Sequence, residues 1–310
     1  MHDQLLPTLQ TVRDWLRFAV SRFREAKIVL GHGTSREIDE AAFLILSVLH
    51  LPHDELDPWL DAKLTMAERK AIADVIEKRI VSRKPASYLV NAAWIGPYRF
   101  YVDERVIVPR SFLGELLVEG LDGIVDPEQP VGRVLDLCTG SGCLAIIAAH
   151  QYPDAAVDAA DLMQNALEVA KRNVAEHGLA DRVTLHQGDL FGAIGTARYD
   201  LVLCNPPYVT SDAVAAFPQE YQAEPVTAHD GGKDGMMLVR RILAEAREHL
   251  TPHGVLVMEI GMGREVIERD YPDLDLLWLD TEESEGEVFA VTAAALGAKA
   301  AKPKAKAKKK

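Results

Sequence analysis

The sequence predicts an α/β chain: a mostly parallel, doubly wound sheet with an antiparallel last strand, preceded by a small helical N-terminal domain. Three observations carry that expectation. Apolar residues recur at helical spacing through the first eighty or so positions, strand-like and helical segments alternate afterwards, and one apolar strand opens into a Gly-rich turn near residue 140. With 310 residues and 48% apolar content, the chain is long enough for two domains on a prior of about 150 residues each.

In the stretch 12–26, Val12, Trp15, Leu16, Ala19, Val20 and Phe23 share one helical face, and 37–51 and 65–80 continue the pattern. Such stripes belong to a core rather than to a ligand, so 1–86 is read as one helical domain. Between Ser87 and Arg110 an aromatic and β-branched run broken by Gly96-Pro97 reads as a hairpin, giving a linker over 87–110. Strands are expected at 133–138, 156–161, 183–188, 201–204 and 254–260, separated by helices, with 274–280 and 286–293 forming an antiparallel ending. These assign the α/β domain to 111–297. The ligand of such a sheet lies at the carboxyl ends of its strands.

Charge separates the possible partners. The formal net charge is −13, but the last twelve residues hold seven lysines and no acid, so the remainder carries −20. An acidic body lacks the broad Lys/Arg face that duplex nucleic acid requires and suits a basic protein partner. The Lys-rich tail, 298–310, has no apolar periodicity and is expected to be disordered. It serves solubility or, alternatively, weak contact with ribosomal RNA. No apolar run approaches the roughly 18 residues of a membrane span, and MHDQLLPTLQ lacks a secretory layout, so a cytoplasmic protein without a membrane partner is expected. Cys138, Cys143 and Cys204 form no C-x-x-C pair. Neither they nor His177 and His186 have ligand-like spacing, so no metal is assigned.

Two motifs carry chemistry. Asn205-Pro206-Pro207-Tyr208 follows an apolar strand and suits the methylation of a planar amide or exocyclic amine. The lone pair of such a nitrogen is delocalised, so its N–H groups must be held while the lone pair turns towards the electrophile. The Asn205 side-chain oxygen and the Pro206 carbonyl can each accept one N–H, and Tyr208 offers an aromatic face for the planar group. The second motif, VLDLCTGSGCLAI from Val134 to Ile146, is a cofactor-binding turn before a helix N-terminus. Gly140, Gly142 and Ala145 also fit a dinucleotide fingerprint, with Asp161 placed for ribose hydroxyls. Asp136 tilts the reading: a carboxylate there suits a cationic amino group, which S-adenosylmethionine carries and a nicotinamide dinucleotide lacks. Asp189 or Leu190 would then contact adenine, and the sulfonium methyl would face a nitrogen held at Asn205.

Across most of its length the chain resembles the protein glutamine N5-methyltransferases, which modify a Gln side-chain amide in translation proteins. The resemblance implies a Class I, Rossmann-like S-adenosylmethionine-dependent methyltransferase. Its cofactor loop runs Asp136, Cys138, Thr139, Gly140, Ser141 and Gly142, its ribose-binding acid is Asp161, and its substrate motif is Asn205 to Tyr208. It also implies a substrate-recognising helical domain and gives Glu224 and Pro225 a part in the substrate pocket. NPPY is shared with adenine-N6 and guanine-N2 methyltransferases of nucleic acids; FYVDERVIVPRS, Phe100 to Ser111, resembles the glutamine family instead.

Cys138, Ser111, GHGT (Gly31 to Thr34) and NAAW (Asn91 to Trp94) resemble the branch that modifies ribosomal protein L-three of the large subunit rather than the release-factor branch. Cys138 in place of a loop glycine predicts a slightly different backbone at the loop entrance. His32 reads as part of a surface loop between helices, with substrate docking the alternative. The segment HDGGKDGM reads as a flexible turn or lid. A cofactor-binding assembly factor without catalysis is the remaining alternative.

Overall fold

Among the described residues, Thr11 opens the first α-helix by a reciprocal cap: its hydroxyl accepts from Asp14 N while the Asp14 carboxylate accepts from Thr11 N. The resulting α1 (Val12–Glu25) buries Val12, Trp15, Leu16, Ala19 and Phe23. They meet the apolar faces of α2 (Glu37–Leu49) and α3 (Met66–Ser82), the latter capped in the same way by Thr65 and Glu68. A short α4 (Ala86–Val90) follows. In the computed structural model, which describes residues 6–121, 123–126, 128–281 and 284–297, these helices form one of two units. This unit comprises the chain up to Ala93 with Val102–Glu104 and, from far along the sequence, Phe217–Glu224. The Lys-rich tail lies outside the described residues.

The returning segment is tied down by charge. Glu220 accepts from Val29 N at 3.1 Å and from the Arg83 guanidinium at 3.1 Å. Deeper in the same unit, Arg79 and Glu40 form a fully buried ion pair at 2.5 Å; Arg79 also donates to the Val29 carbonyl, and Glu40 accepts from the Thr34 hydroxyl.

The second unit holds a two-stranded hairpin and a seven-stranded sheet. The hairpin strands, β1 (Ala93–Ile95) and β2 (Tyr98–Phe100), turn at Gly96-Pro97 and are shorter than the run that predicts them. After α5 (Phe112–Glu119) the chain lays down β3 (Arg133–Leu137), α6 (Cys143–Gln151), β4 (Ala156–Asp161), α7 (Gln164–Glu176), β5 (Val183–Gln187) and β6 (Tyr199–Cys204). Then come α8 (Ser211–Ala215), α9 (Met237–His249), β7 (Leu250–Glu259), α10 (Arg264–Asp270), β8 (Leu277–Leu279), β9 (Val288–Thr292) and α11 (Ala293–Gly297).

The strand order is β5-β4-β3-β6-β7-β9-β8, parallel from β5 through β7 and antiparallel at β9 and β8. This is the Class I methyltransferase sheet anticipated from the sequence. Strand β7 starts four residues before its expected position because Leu250 pairs with Tyr199 ahead of a bulge whose extra residues lie in β7, before Val255 pairs with Leu201; Gly254 fits there because a Cβ would lie 2.6 Å from the Tyr199 carbonyl. Alternation along the strands divides the core in two. Val134, Val157, Leu201, Leu203 and Val257 face α5 and α6, whereas Leu135, Leu137, Val202, Leu256 and Met258 face α9. Among the described residues no helix is long and apolar enough to cross a membrane.

Replacing Arg79 by Met should lower stability by about 3–5 kcal/mol, because it leaves the Glu40 carboxylate buried without its cation. The check is the urea midpoint followed by circular dichroism; a midpoint equal to that of the parent protein would contradict a charged pair.

Candidate active site

The sheet reverses its direction of growth between β3 and β6, which pair in parallel with Leu137 opposite Cys204. The residues after that pair, Cys138 and Asn205, therefore leave neighbouring strands at the same edge, where ligands of open α/β sheets bind. Both sequence motifs emerge there.

The first loop is shaped by left-handed backbone at Cys138, Gly140 and Gly142, with φ of +59°, +55° and +82°. Cys138 thus takes a left-handed conformation that glycine adopts more readily. Two carboxylates fix the turn. Asp136, wholly buried, accepts at one oxygen from the Thr139 hydroxyl (2.5 Å) and from Ala145 N (3.0 Å), joining the strand end to the first turn of α6. Asp161 at the end of β4 accepts from Gly140 N at 2.9 Å and Met163 N at 2.8 Å. Space over Gly140 is open: a Cβ there would meet nothing within 4 Å. Ser141 is held through Asn173, whose amide donates to the Ser141 carbonyl at 2.8 Å and exchanges hydrogen bonds with the Tyr101 backbone. Asn173 was not singled out in the sequence, where it is one polar residue on a helix.

Burial pushes the Asp136 carboxyl up to about 7, against the lowering effect of its two hydrogen bonds. Its Oδ1 is sealed from water and has no hydrogen-bond partner among the described residues. A cationic group reaching that oxygen would offset the desolvation, so the residue fits the amino group of S-adenosylmethionine. Burial also raises Asp161, whose oxygens retain acceptor capacity for hydroxyls. Of the pair assigned to adenine, Leu190 is buried with φ +48°, whereas Asp189 is exposed and accepts from Arg241 at 2.8 Å.

The second loop, Asn205 to Tyr208, is half-buried apart from the buried Pro206. Among the described residues none hydrogen-bonds the Asn205 side chain or the Pro206 carbonyl, which leaves both acceptors available. The loop exit is clamped by the segment read as a flexible lid. Val209 N donates to the His229 carbonyl at 2.9 Å, Gly231 N to the Val209 carbonyl at 2.8 Å, and Ser211 N to the Gly232 carbonyl at 2.9 Å. Asp230 braces this clamp by accepting from the Ser211 hydroxyl and Gly232 N. Asp234 accepts two hydrogen bonds from Arg240, which hold its carboxyl down to about 2. The segment is structural because its glycines let backbone bond to backbone beside NPPY.

Tyr208 donates its hydroxyl to Glu259 at 2.9 Å, and a Cβ on Gly261 would lie 2.6 Å from its ring. Burial, reinforced by the Glu259 charge, pushes the phenol well above its ordinary range, so Tyr208 stays neutral and cannot serve as a base. Glu259 itself is buried and raised by desolvation. Sequence reasoning missed it; the only signal was an acid closing an otherwise apolar strand.

Glu224 and Pro225 fall in different units, Glu224 with the helices and Pro225 with the sheet. The Glu224 carboxylate is buried 3.5 Å from the ring of His32, which packs against Tyr221 with centroids 4.2 Å apart. His32 is 4% exposed, so its reading as a surface-loop residue is corrected: the returning segment covers it.

The family model described as Methyltransferase small domain matches residues 114–219. The chain is 55% identical over 294 residues to a ribosomal protein uL3 glutamine methyltransferase of Bradyrhizobium diazoefficiens, covering 93% of this chain and 92% of that one. It is 54% identical to one of the same description from Bordetella pertussis, covering 92% and 95%, and 50% identical to one from Burkholderia pseudomallei, covering 93% and 96%.

Cofactor affinity should depend on pH through Asp136. An ammonium prefers the carboxylate form, so binding is full above about 7 and weakens as pH falls through that value, by up to about tenfold per unit. Calorimetric titration with S-adenosylmethionine at pH 5.5 and 7.5 checks this; equal affinities would remove Asp136 from cofactor binding.

Proposed function

The chain belongs to the ribosomal protein uL3 glutamine methyltransferases, and we propose that Asn205, Pro206 and Tyr208 hold the glutamine amide while the loop from Asp136 to Gly142 holds the cofactor. It is an S-adenosylmethionine-dependent enzyme that methylates a glutamine side-chain amide of that ribosomal protein. The observation that carries the residue assignment is the pairing of Leu137 with Cys204, which brings the two loops to one sheet edge with the Asn205 and Pro206 acceptors unengaged.

When bound, S-adenosylmethionine supplies an electrophilic methyl on a sulfonium. The protein's work is orientation. Asn205 Oδ1 and the Pro206 carbonyl each accept one amide N–H, which turns the nitrogen lone pair out of conjugation, and the Tyr208 ring supports the amide plane. As the N–C bond forms and the C–S bond breaks, the nitrogen becomes acidic and its proton passes to solvent. Tyr208 does not take it, because its hydroxyl is committed to Glu259. Asp136 and Asp161 keep the cofactor loop in register with this site, and Asp161 receives the ribose hydroxyls. Asp189 and Leu190 flank the adenine, and Pro225 borders the substrate path.

A body carrying −20 outside its Lys-rich end suits a basic ribosomal protein, whose field would speed encounter more than it tightens the complex. Such a substrate also favours the cytoplasm as the place of reaction.

Orientation can contribute about 7–11 kcal/mol in favourable cases. Asn205→Ala should therefore lower kcat by roughly a hundredfold or more while leaving S-adenosylmethionine affinity within about twofold. The assay is transfer of labelled methyl to unmodified uL3, with the label located by mass spectrometry. Parent-like kcat in this variant would sink the assignment, as would label on release factor or on a nucleic-acid base in place of uL3. Asp161→Ala should instead weaken cofactor binding, by roughly tenfold on calorimetry, for loss of charge-assisted hydrogen bonds; unchanged affinity would contradict the ribose role.

A further inference from the structure

Glu259 is a fully buried carboxylate with both oxygens engaged. Oε1 accepts the Tyr208 hydroxyl at 2.9 Å, and Oε2 accepts the Ser111 hydroxyl at 2.7 Å and Leu113 N at 3.3 Å. The donors come from the substrate loop and from the start of α5, separated from Glu259 by 51 and by 146 to 148 positions in sequence. An ionised group is kept out of water only where it is paired or fully hydrogen-bonded. Here the three donors provide for it, and they leave the phenol with one direction in which to point.

A tyrosine used as a platform has two side-chain torsions to restrain. Gly261 lies under the ring edge, where any side chain would collide, and Glu259 holds the far end of the phenol. Ser111 ties the same carboxylate to a helix start, since its oxygen also caps α5 by accepting from Gly114 N at 3.2 Å. We propose that Glu259 is a positioning residue for methyl transfer: by accepting the Tyr208 hydroxyl it sets the plane of the ring that supports the glutamine amide, and through Ser111 it anchors that plane to α5. The inference rests on Tyr208 being the amide platform. Ser111, noted in the sequence only as a branch marker, acquires a physical role in this chain of hydrogen bonds. A ring left to rotate would still bind substrate in many orientations, so the loss falls on turnover rather than on cofactor binding.

The test is a double-mutant cycle on kcat, with uL3 and S-adenosylmethionine as substrates and cofactor affinity measured in parallel. Tyr208→Phe and Glu259→Gln should each lower kcat by roughly tenfold with cofactor affinity within about twofold, and the double variant should be no slower than the slower single variant. A further loss of similar size in the double variant would mean that Glu259 acts independently of Tyr208, and parent-like kcat in Glu259→Gln would mean that it does not act; either overturns the inference. Parent-like kcat in Tyr208→Ala would instead remove the platform reading itself. If Glu259→Gln does not fold, Ser111→Ala takes its place in the cycle: kcat per folded enzyme should fall in the parent and not in Tyr208→Phe, and equal losses in both overturn the inference.

Discussion

The parallel pairing of β3 with β6 is the constraint on which the rest of the molecule depends. Neighbouring strands lie about 4.8 Å apart. Setting Leu137 opposite Cys204 therefore starts the proposed cofactor and substrate loops side by side, although 67 positions separate those residues in the chain. Register matters as much as proximity. A slip of one residue would turn Asp136 from the face of α6 to that of α9 and remove it from Thr139 and Ala145. It would also take Leu135 and Leu137 out of the second core, where they pack with Val202 and Met258, and turn Val134 out of the first. The apolar alternation that fills the two cores thus also aims the functional groups.

Three carboxylates at the carboxyl ends of the strands, Asp136 and Glu259 buried and Asp161 half-buried, turn this placement into loop geometry. Asp136 fastens the cofactor loop to α6, Asp161 fastens it to β4, and Glu259 fastens Tyr208 to the end of β7. Desolvation raises all three. Each therefore stands where hydrogen-bond donors compensate for burial, and the partners are backbone N–H groups and hydroxyls rather than cations. Asp136 is the least compensated, with an oxygen that lacks a partner among the described residues. That is the expected condition of a site completed by a positively charged ligand.

The sheet and both motifs were legible in the sequence because they rest on local rules: period-two apolar runs, glycines at a turn, and prolines after a strand. Strand limits fell within a residue or two, except at β7, where a bulge carries the pairing four residues further, and at β8, which begins three residues late. What could not be read were partnerships between distant residues. Nothing near Glu259 points to Tyr208 or Ser111, nothing in α7 announces that Asn173 holds Ser141, and His32 meets Glu224 only because a segment from beyond residue 216 returns to the helices. The glycines after His229 illustrate the same limit. Composition alone reads them as freedom, whereas in the fold they permit backbone hydrogen bonds to Val209 and Ser211.

On the proposed assignment of Asn205, Pro206 and Tyr208, the chemistry follows from restraint rather than from acid–base strength. Tyr208 is held neutral, Asn205 and Pro206 offer neutral acceptors, and the strongly held charges, such as Asp234 with Arg240, brace loops. An amide nitrogen needs such a site. Its lone pair is unavailable until its N–H groups are held in place, and a base could remove a proton only after the new bond has begun to form. Barrier lowering of this kind depends on geometry to within a few tenths of an ångström. That requirement explains why backbone is drawn so close around NPPY, with Gly231 against the Pro207 carbonyl and Gly261 against the Tyr208 ring, and why Cys138 accepts a conformation that glycine would take more readily.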